Sequence, residues 1–334
     1  VYAQYYNYSG LPFQLTPDSR FFFGSSGHSR AISHLVYGLA QEEGFVVITG
    51  EVGAGKTTLT EQLWSQLDRK TYVVGRVVTT QVAGDDLLRL VLASFGLQTE
   101  GVDKATMLRR LEDLLRIERQ HGRRCLLVVD EVQNLSFAAL EELRMLSNLT
   151  VPEASGSRQV TLQTILLGQP QFRRILASPD LEQLRQRVLA SYHLGPLSAA
   201  ETRDYIRHRL SMVGWTGENP SWEEAAFEAV HRAAGGIPRR VNTLCGRVLL
   251  FGALGELQTI DAAAVQETSD ELQRDLGAGA SVNGFAPAMN GSPHEAAARV
   301  PLDRLEARID ALEATAARQD RVFRRLTDLL SGAA

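Results

Sequence analysis

The chain has 334 residues, room for about two domains. Its content of 44% hydrophobic and 22% charged residues suits a globular core. No apolar stretch approaches the ~20 residues that a bilayer-spanning helix needs. A formal net charge of −4 argues against tight, non-specific nucleic-acid binding, although it leaves room for a local basic patch. Val1 to Phe13 lacks the basic start and apolar block of a secretory signal. Cys125 and Cys245 both lie in apolar patterns and read as reduced core residues of a cytoplasmic protein.

Residues 1–26, rich in aromatics, Pro and Gly, read as an arm packed against the body, and a helix follows over about Gly27 to Glu42. Phe45-Val-Val-Ile-Thr49 reads as a strand. Gly50-Glu51-Val52-Gly53-Ala54-Gly55-Lys56-Thr57-Thr58 follows directly, and Thr57 to Leu67 then reads as a helix. The run fits G-x-x-x-x-G-K-[ST], with Gly50, Gly55, Lys56 and Thr57 in the fixed positions. Strand, glycine loop and helix N-terminus together form an anion site, because glycines let the backbone curl until several N–H groups point inward. Lys56 is expected to reach the β- and γ-phosphates of ATP, and the Thr57 hydroxyl to hold Mg²⁺. An ordinary glycine turn is the simpler alternative, and the register of strand, loop and helix tells against it.

Thr71 to Thr79 is β-branched and reads as a strand, and Asp85 to Phe95 and Lys104 to Gln120 read as helices. Cys125-Leu-Leu-Val-Val-Asp130-Glu131 has the pattern of a buried parallel strand ending in two carboxylates, at the strand end where α/β sheets hold ligands. Asp130 is expected to hold Mg²⁺ through water, and Glu131 to orient or deprotonate the attacking water. Ala138 to Leu149 reads as a helix and Val151 to Ser157 as a polar loop. Thr161 to Leu167 reads as a strand ending in Gly168-Gln169-Pro170, Leu181 to Leu189 as a helix, and Ser191 to Leu194 as a short strand. Strands alternating with helices imply a parallel sheet covered on both faces.

After Pro196 the pattern is all helical. Ser198-Ala-Ala-Glu201 is a capping-box start for a helix to about Val213. Trp222 to Ala234 and Pro238 to Phe251 follow as helices, and Thr259-Ile-Asp261 opens one to about Leu276. Gly277 to Pro301 reads as a flexible linker. Leu302, Leu305, Ile309, Leu312, Ala316, Gln319, Phe323, Leu326 and Leu330 then form a heptad seam, weakened in the middle by Ala316 and Gln319. A single amphipathic helix docked on the body is the other reading. The preceding linker, which frees the tail to find a partner, favours a coiled coil.

With its phosphate loop, Asp130-Glu131 and a following helical region, the chain resembles the AAA+ ATPases over roughly residues 1–276. Gly236-Ile-Pro-Arg239-Arg240-Val-Asn242 resembles the G-x-P-R segment of the family's helical lid, which makes Arg239 the arginine that senses the γ-phosphate. Leu184-Arg-Gln-Arg187-Val stands where the family keeps its arginine finger, with Arg187 the better match and Arg185 the reserve. Gln169 stands at the polar sensor position, where the family usually has Asn, Thr or Ser. Within the family, Tyr5-Tyr-Asn-Tyr-Ser-Gly-Leu-Pro-Phe13, Leu15-Thr-Pro-Asp18, Arg20-Phe-Phe-Phe-Gly-Ser25 and Gly44 to Gly53 are similar to the ExeA/GspA-type secretion ATPases. The closest branch is the one found with exosortase and exopolysaccharide loci. The GspA type usually adds a membrane span and a peptidoglycan-binding domain, neither of which occurs in this sequence.

The resemblance implies an αβα P-loop NTPase domain with its arm over residues 1–196 and a helical lid over 197–276. The linker then occupies 277–301 and the coiled-coil helix 302–332. It implies a cytoplasmic homo-oligomer, as a ring or hexamer, that binds and hydrolyses Mg-ATP and works on a membrane-associated secretion or polysaccharide partner. Arg187 of a neighbouring subunit would complete the site, with adenine between Phe23 to Arg30 and the lid. Two alternatives remain at this point: a DNA-binding regulator of transposition of the TniB/TnsC kind, and a nucleotide-stabilised scaffold that does not hydrolyse.

Overall fold

Alternating apolar runs and amphipathic stretches force a layered arrangement, and the computed structural model describes it for residues 2–16, 18–68, 70–78, 84–152 and 158–280. In chain order the first elements are α1 (Tyr2–Tyr5), α2 (Ser26–Ala40), β1 (Phe45–Gly50), α3 (Lys56–Gln66), β2 (Tyr72–Val78), α4 (Gly84–Ser94) and α5 (Lys104–Gln120). Next come β3 (Arg124–Asp130), α6 (Phe137–Leu146), β4 (Thr150–Pro152), β5 (Arg158–Val160), β6 (Leu162–Gly168), α7 (Gln171–Leu176), α8 (Glu182–Arg185) and β7 (Val188–Leu194). The helical part holds α9 (Ala199–Ser211), β8 (Ser221–Trp222), α10 (Glu224–Ala234), α11 (Pro238–Leu254), β9 (Thr259–Ile260) and α12 (Ala262–Ala280).

The chain divides into two units, the larger made of Val1–Ala253 and Leu257–Ser269. The smaller is described over Leu254–Glu256 and Asp270–Ala280. The expected coiled coil over 302–332 lies outside the described residues, as does the expected linker beyond Ala280. No described helix is long and apolar enough to cross a membrane.

Five parallel strands form the sheet of the larger unit, in the order β2-β3-β6-β1-β7. All of β1 and β6 is buried. Their side chains alternate between two cores, as the period of two requires. Phe45 and Val47 face a core shared with Leu87, Leu111, Leu140 and Phe172. Val46 and Ile48 face one shared with Leu35, Leu39, Leu59 and Leu63 of α2 and α3. β1 reads as a nearly continuous apolar run because neither face meets water, while β6 also buries Gln163 and Thr164.

Two expectations are corrected. The helix expected over Leu181 to Leu189 shrinks to a 3-10 turn at Pro179–Leu181 and α8, and the strand begins at Val188 instead of Ser191. Val188 and Ala190 pair with Phe45 and Val46 across a bulge, so the sheet takes the apolar residues that looked helical. In the loop expected over Val151 to Ser157, Val151 and Pro152 instead belong to β4, which pairs antiparallel with β5. The sequence reading had no counterpart for α7.

The arm packs into a core with the helices that follow the sheet. Tyr6, Tyr8, Phe13 and Phe21 join Tyr205, Phe227, Val241 and Leu249. Arg209 of α9 ties it down. Its Nε donates to the Pro12 carbonyl at 2.6 Å, its Nη1 to the Tyr205 hydroxyl at 2.8 Å, and its guanidinium stacks 4.6 Å from the Phe21 ring centroid. Truncating a buried, hydrogen-bonded charge costs roughly 1.5–3 kcal/mol. Arg209→Met should therefore lower stability by about 2 kcal/mol in a denaturant titration and hasten protease cleavage within Pro12–Phe21. Unchanged cleavage would show that the arm is held by its aromatics alone.

Candidate functional site

β1, β6 and β3 lie side by side, so their C-terminal ends gather the motifs along one edge of the sheet. The loop leaves β1 at Gly50. Gly55, at φ +97°, is the left-handed residue before α3, and Gly53 stands at φ +82°. The turn leaves the first N–H groups of α3 without carbonyl partners in their own helix, directed to where an anion would sit. Lys56 is only 6% exposed, and its Nζ donates to the carbonyls of Gly50 at 2.7 Å and Glu51 at 3.0 Å. Burial pushes the Lys56 pKa down, while the carboxylates of Glu131, Asp130 and Glu51 pull the other way. Ala54 is buried, and Glu51 and Val52 are exposed.

The two carboxylates fill different places. Thr57 Oγ1 donates to Asp130 Oδ2 at 3.3 Å, and Arg76 of β2 stands 3.7 Å from the same oxygen. Glu131 takes the left-handed conformation, φ +54°, which costs a non-glycine residue roughly 1–2 kcal/mol. Side-chain amides hold its carboxylate: Gln169 Nε2 donates to Oε2 at 3.1 Å, and Gln133 Nε2 donates to the same oxygen. Gln133 Oε1 in turn accepts the Gln169 backbone N–H at 2.9 Å. The Gln169 side chain therefore bonds directly to Glu131.

Arg239, at the start of α11, lies on the loop. Its N–H donates to the Gly53 carbonyl at 3.2 Å, and a Cβ on Gly53 would come within 2.3 Å of Arg239 Cβ. A cleft of about 280 Å³ runs from Gly53, Lys56, Thr57, Thr58 and Glu131 to Phe21–Phe23 of the arm and Tyr205, Arg209 and Asn242.

Arg187 is elsewhere. Its carbonyl accepts the Phe45 N–H at 2.9 Å, and its Nη1 approaches the Ser147 carbonyl and hydroxyl at 3.4 Å. It therefore marks the N-terminal end of β1, roughly 16 Å of strand away from Gly50 at about 3.3 Å per residue. Arg185 Nη1 donates to the Ala177 carbonyl. Neither arginine meets the loop of its own chain.

Arg76 and Gln133 are neighbours of the site outside every expected position, and His28 falls within the Phe23 to Arg30 span expected near adenine without being singled out. Gln133 follows Glu131 by two residues, a spacing that could have pointed to it. Nothing local in the sequence marks Arg76 or His28, since strand pairing and helix packing bring them in.

The residues fit a nucleotide and a hard cation. A hydroxyl and a carboxylate already 3.3 Å apart are the oxygen donors that Mg²⁺ takes, in a set completed by phosphate and water. Among the described residues no group of three or more His, Cys, Asp or Glu side chains forms a metal site of its own. The fold is the parallel-sheet α/β P-loop fold of AAA domains, and the site is that of a nucleotide-binding P-loop.

Comparison with known proteins agrees. Residues 39–176 match the AAA domain family. The chain is 37% identical over 254 residues to general secretion pathway protein A of Aeromonas hydrophila. That alignment covers 75% of this chain and 44% of the relative, so the chain spans less than half of the relative's length. Among solved structures it is similar to the ADP form of Aeropyrum pernix ORC2, with TM-score 0.56 and 16% identity over 83% of this chain and 74% of that one. It is also similar to Pyrobaculum aerophilum Cdc6p, with TM-score 0.58 and 15% identity over 77% and 71%. At these identities the structural likeness speaks for the fold alone.

Gly53 has no room for a side chain and sits at a φ that disfavours one. Gly53→Ala should weaken binding of a fluorescent ATP analogue about tenfold, since a strain of 1–2 kcal/mol converts to that ratio. Titration against the wild type tests it, and equal affinity would show that the contact between loop and Arg239 plays no part in binding.

Proposed function

We propose that this chain is a Mg²⁺-dependent ATPase that hydrolyses ATP as a homo-oligomer and works on an envelope secretion or exopolysaccharide assembly. The observation that carries the enzymatic reading is the meeting of Lys56, Thr57, Asp130 and Glu131 at the ends of β1 and β3. Lys56 moves its ammonium from two carbonyls to the phosphates. Thr57 and Asp130 offer oxygens to the cation, which when bound draws charge from the phosphate oxygens. Glu131, aimed by Gln133 and Gln169, accepts a proton from the attacking water. That water bonds to the γ-phosphorus as the bridge to the β-phosphate breaks, leaving ADP and phosphate. Arg239 joins the γ-phosphate to α11, so hydrolysis is felt by the helices beyond the sheet. Adenine lies toward Phe23 and α9.

Arg187 acts on the site of the next subunit. Its distance from its own loop supports that role, because a finger given in trans has to stand away from its own site. The similarity to general secretion pathway protein A supports a role in secretion. The reading is completed by a membrane-associated partner, recruited in the cytoplasm through the heptad seam at 302–332.

Glu131→Gln should keep ATP binding and lose turnover by about 10² or more, because it keeps the shape and removes the base. Lys56→Ala should lose binding itself. Nucleotide titration with phosphate release separates the two, and wild-type hydrolysis by Glu131→Gln would refute the role of the carboxylate.

Arg187→Ala should bind ATP normally and lose roughly 10³–10⁵ in rate. Wild-type specific activity should rise with protein concentration as subunits meet. A rate per subunit that stays flat with dilution, in a protein that is monomeric by light scattering, would overturn the shared site.

A further inference from the structure

His28 lies in the first turn of α2, 7% exposed, and lines the same cleft as Lys56 and Thr57. Its ring is fixed on two sides. The Ser25 hydroxyl, which accepts the His28 backbone N–H at 3.2 Å as the helix cap, lies 2.7 Å from Nδ1. The Phe22 ring meets the imidazole edge to face, with centroids 5.9 Å apart.

This arrangement sets the tautomer. Ser25 is buried, so its hydroxyl hydrogen needs an acceptor, and among the described residues Nδ1 is the acceptor in reach. Ser25 therefore donates to Nδ1, and the ring hydrogen of the neutral imidazole belongs to Nε2. Burial lowers the His28 pKa and so favours that neutral form, against the charge of Glu201.

Nε2 faces the loop. A Cβ on Gly55 would come within 2.7 Å of it. Among the described residues both hydrogen bonds of His28 go to Ser25, one from its backbone N–H and one at Nδ1, which leaves Nε2–H open to a partner in the cleft. A rotationally fixed donor on a buried residue thus lines the cleft against Gly55 of the loop. The same helix start is bonded to α9, because Ser26 N–H donates to Glu201 Oε1 at 2.9 Å. The donor is therefore held between the loop and the helices beyond the sheet.

We propose that His28 is a further nucleotide-binding residue, whose Nε2–H donates to a phosphate oxygen of the nucleotide held by Gly50–Thr58. This rests on the nucleotide reading of the loop and adds a side-chain donor from outside the motif. A hydrogen bond to a charged group, once lost, lowers affinity about tenfold or more.

The test uses the full chain and displaces a fluorescent ATP analogue with ATP and with inorganic tripolyphosphate. His28→Leu should bind both about tenfold more weakly, and His28→Gln, which keeps a donor, should stay within about threefold of wild type. A weakening for ATP without one for tripolyphosphate would assign His28 to the base or ribose and overturn the proposal. The second measurement needs no variant to fold at full stability. In wild-type protein with ¹⁵N-labelled histidine, the Nε2 signal should carry a proton and shift when tripolyphosphate saturates the site. An Nε2 that carries no proton, or a signal that stays put, overturns it. Wild-type protein that takes up neither ATP nor tripolyphosphate sinks the nucleotide reading along with this one. Normal wild-type binding with an indifferent His28→Leu sinks this one alone.

Discussion

Burial of β1 on both faces is the constraint on which the rest depends. All six of its residues are buried, so it cannot stand at an edge and needs helices above and below. It takes a place between β6 and β7, with α2 and α3 on one side. The loop then has to emerge at the strand's C-terminal end, where the chain doubles back into α3. With β6 between β1 and β3, Gly50 and Asp130 are separated by two strand spacings, about 10 Å. Thr57, one residue into α3, spans that gap to Asp130. The intervening strand ends in Gly168, and the next residue, Gln169, reaches Glu131. Three polar motifs far apart in sequence meet because three apolar runs are neighbours.

The helical part is bound to this edge at two places. Glu201 closes the cap of α9 with the Ser198 N–H and also accepts the Ser26 N–H. Desolvation pushes its carboxyl up, but hydrogen bonds from the backbone and side chains of Ser198 and Ser26 outweigh that and hold it at about 2. Arg239 joins Gly53 to α11. The arm fills the space between, its aromatics shared with α9 to α11. One carboxylate and one arginine, on two different helices, therefore connect those helices to α2 and to the phosphate loop.

Legibility followed the range of the interactions. The loop, the strand before it and the carboxylates at Asp130-Glu131 were readable because each is set by a handful of consecutive residues. The capping box at Ser198 was readable for the same reason. The helix expected over Leu181 to Leu189 failed because Val188, Leu189 and Ala190 are apolar in either state, and the choice between helix and strand was made by Phe45 and Val46, far upstream. Gln133 and His28 were not singled out because a polar side chain acquires its role from what packs against it: Glu131 for one, and Gly55 for the other. Arg187 was read from its position before the last strand. What the sequence could not convey is that this position lies at the opposite end of β1 from the loop.

Lys56 explains how the loop holds its shape before any nucleotide arrives. A buried ammonium needs oxygen partners, and the carbonyls of Gly50 and Glu51 supply them. A phosphate oxygen would offer that ammonium a charged partner in place of neutral carbonyls, so the exchange favours the bound state. A ligand shifts a conformational equilibrium only through interactions that differ between the two states. Beside Lys56, the groups able to supply such a difference are Arg239 on Gly53, His28 of α2 against Gly55, and Glu131 between two amides. Two of these three belong to, or are bonded toward, the helices beyond the sheet. Arg239 and the start of α2 therefore tie the surroundings of the loop to those helices.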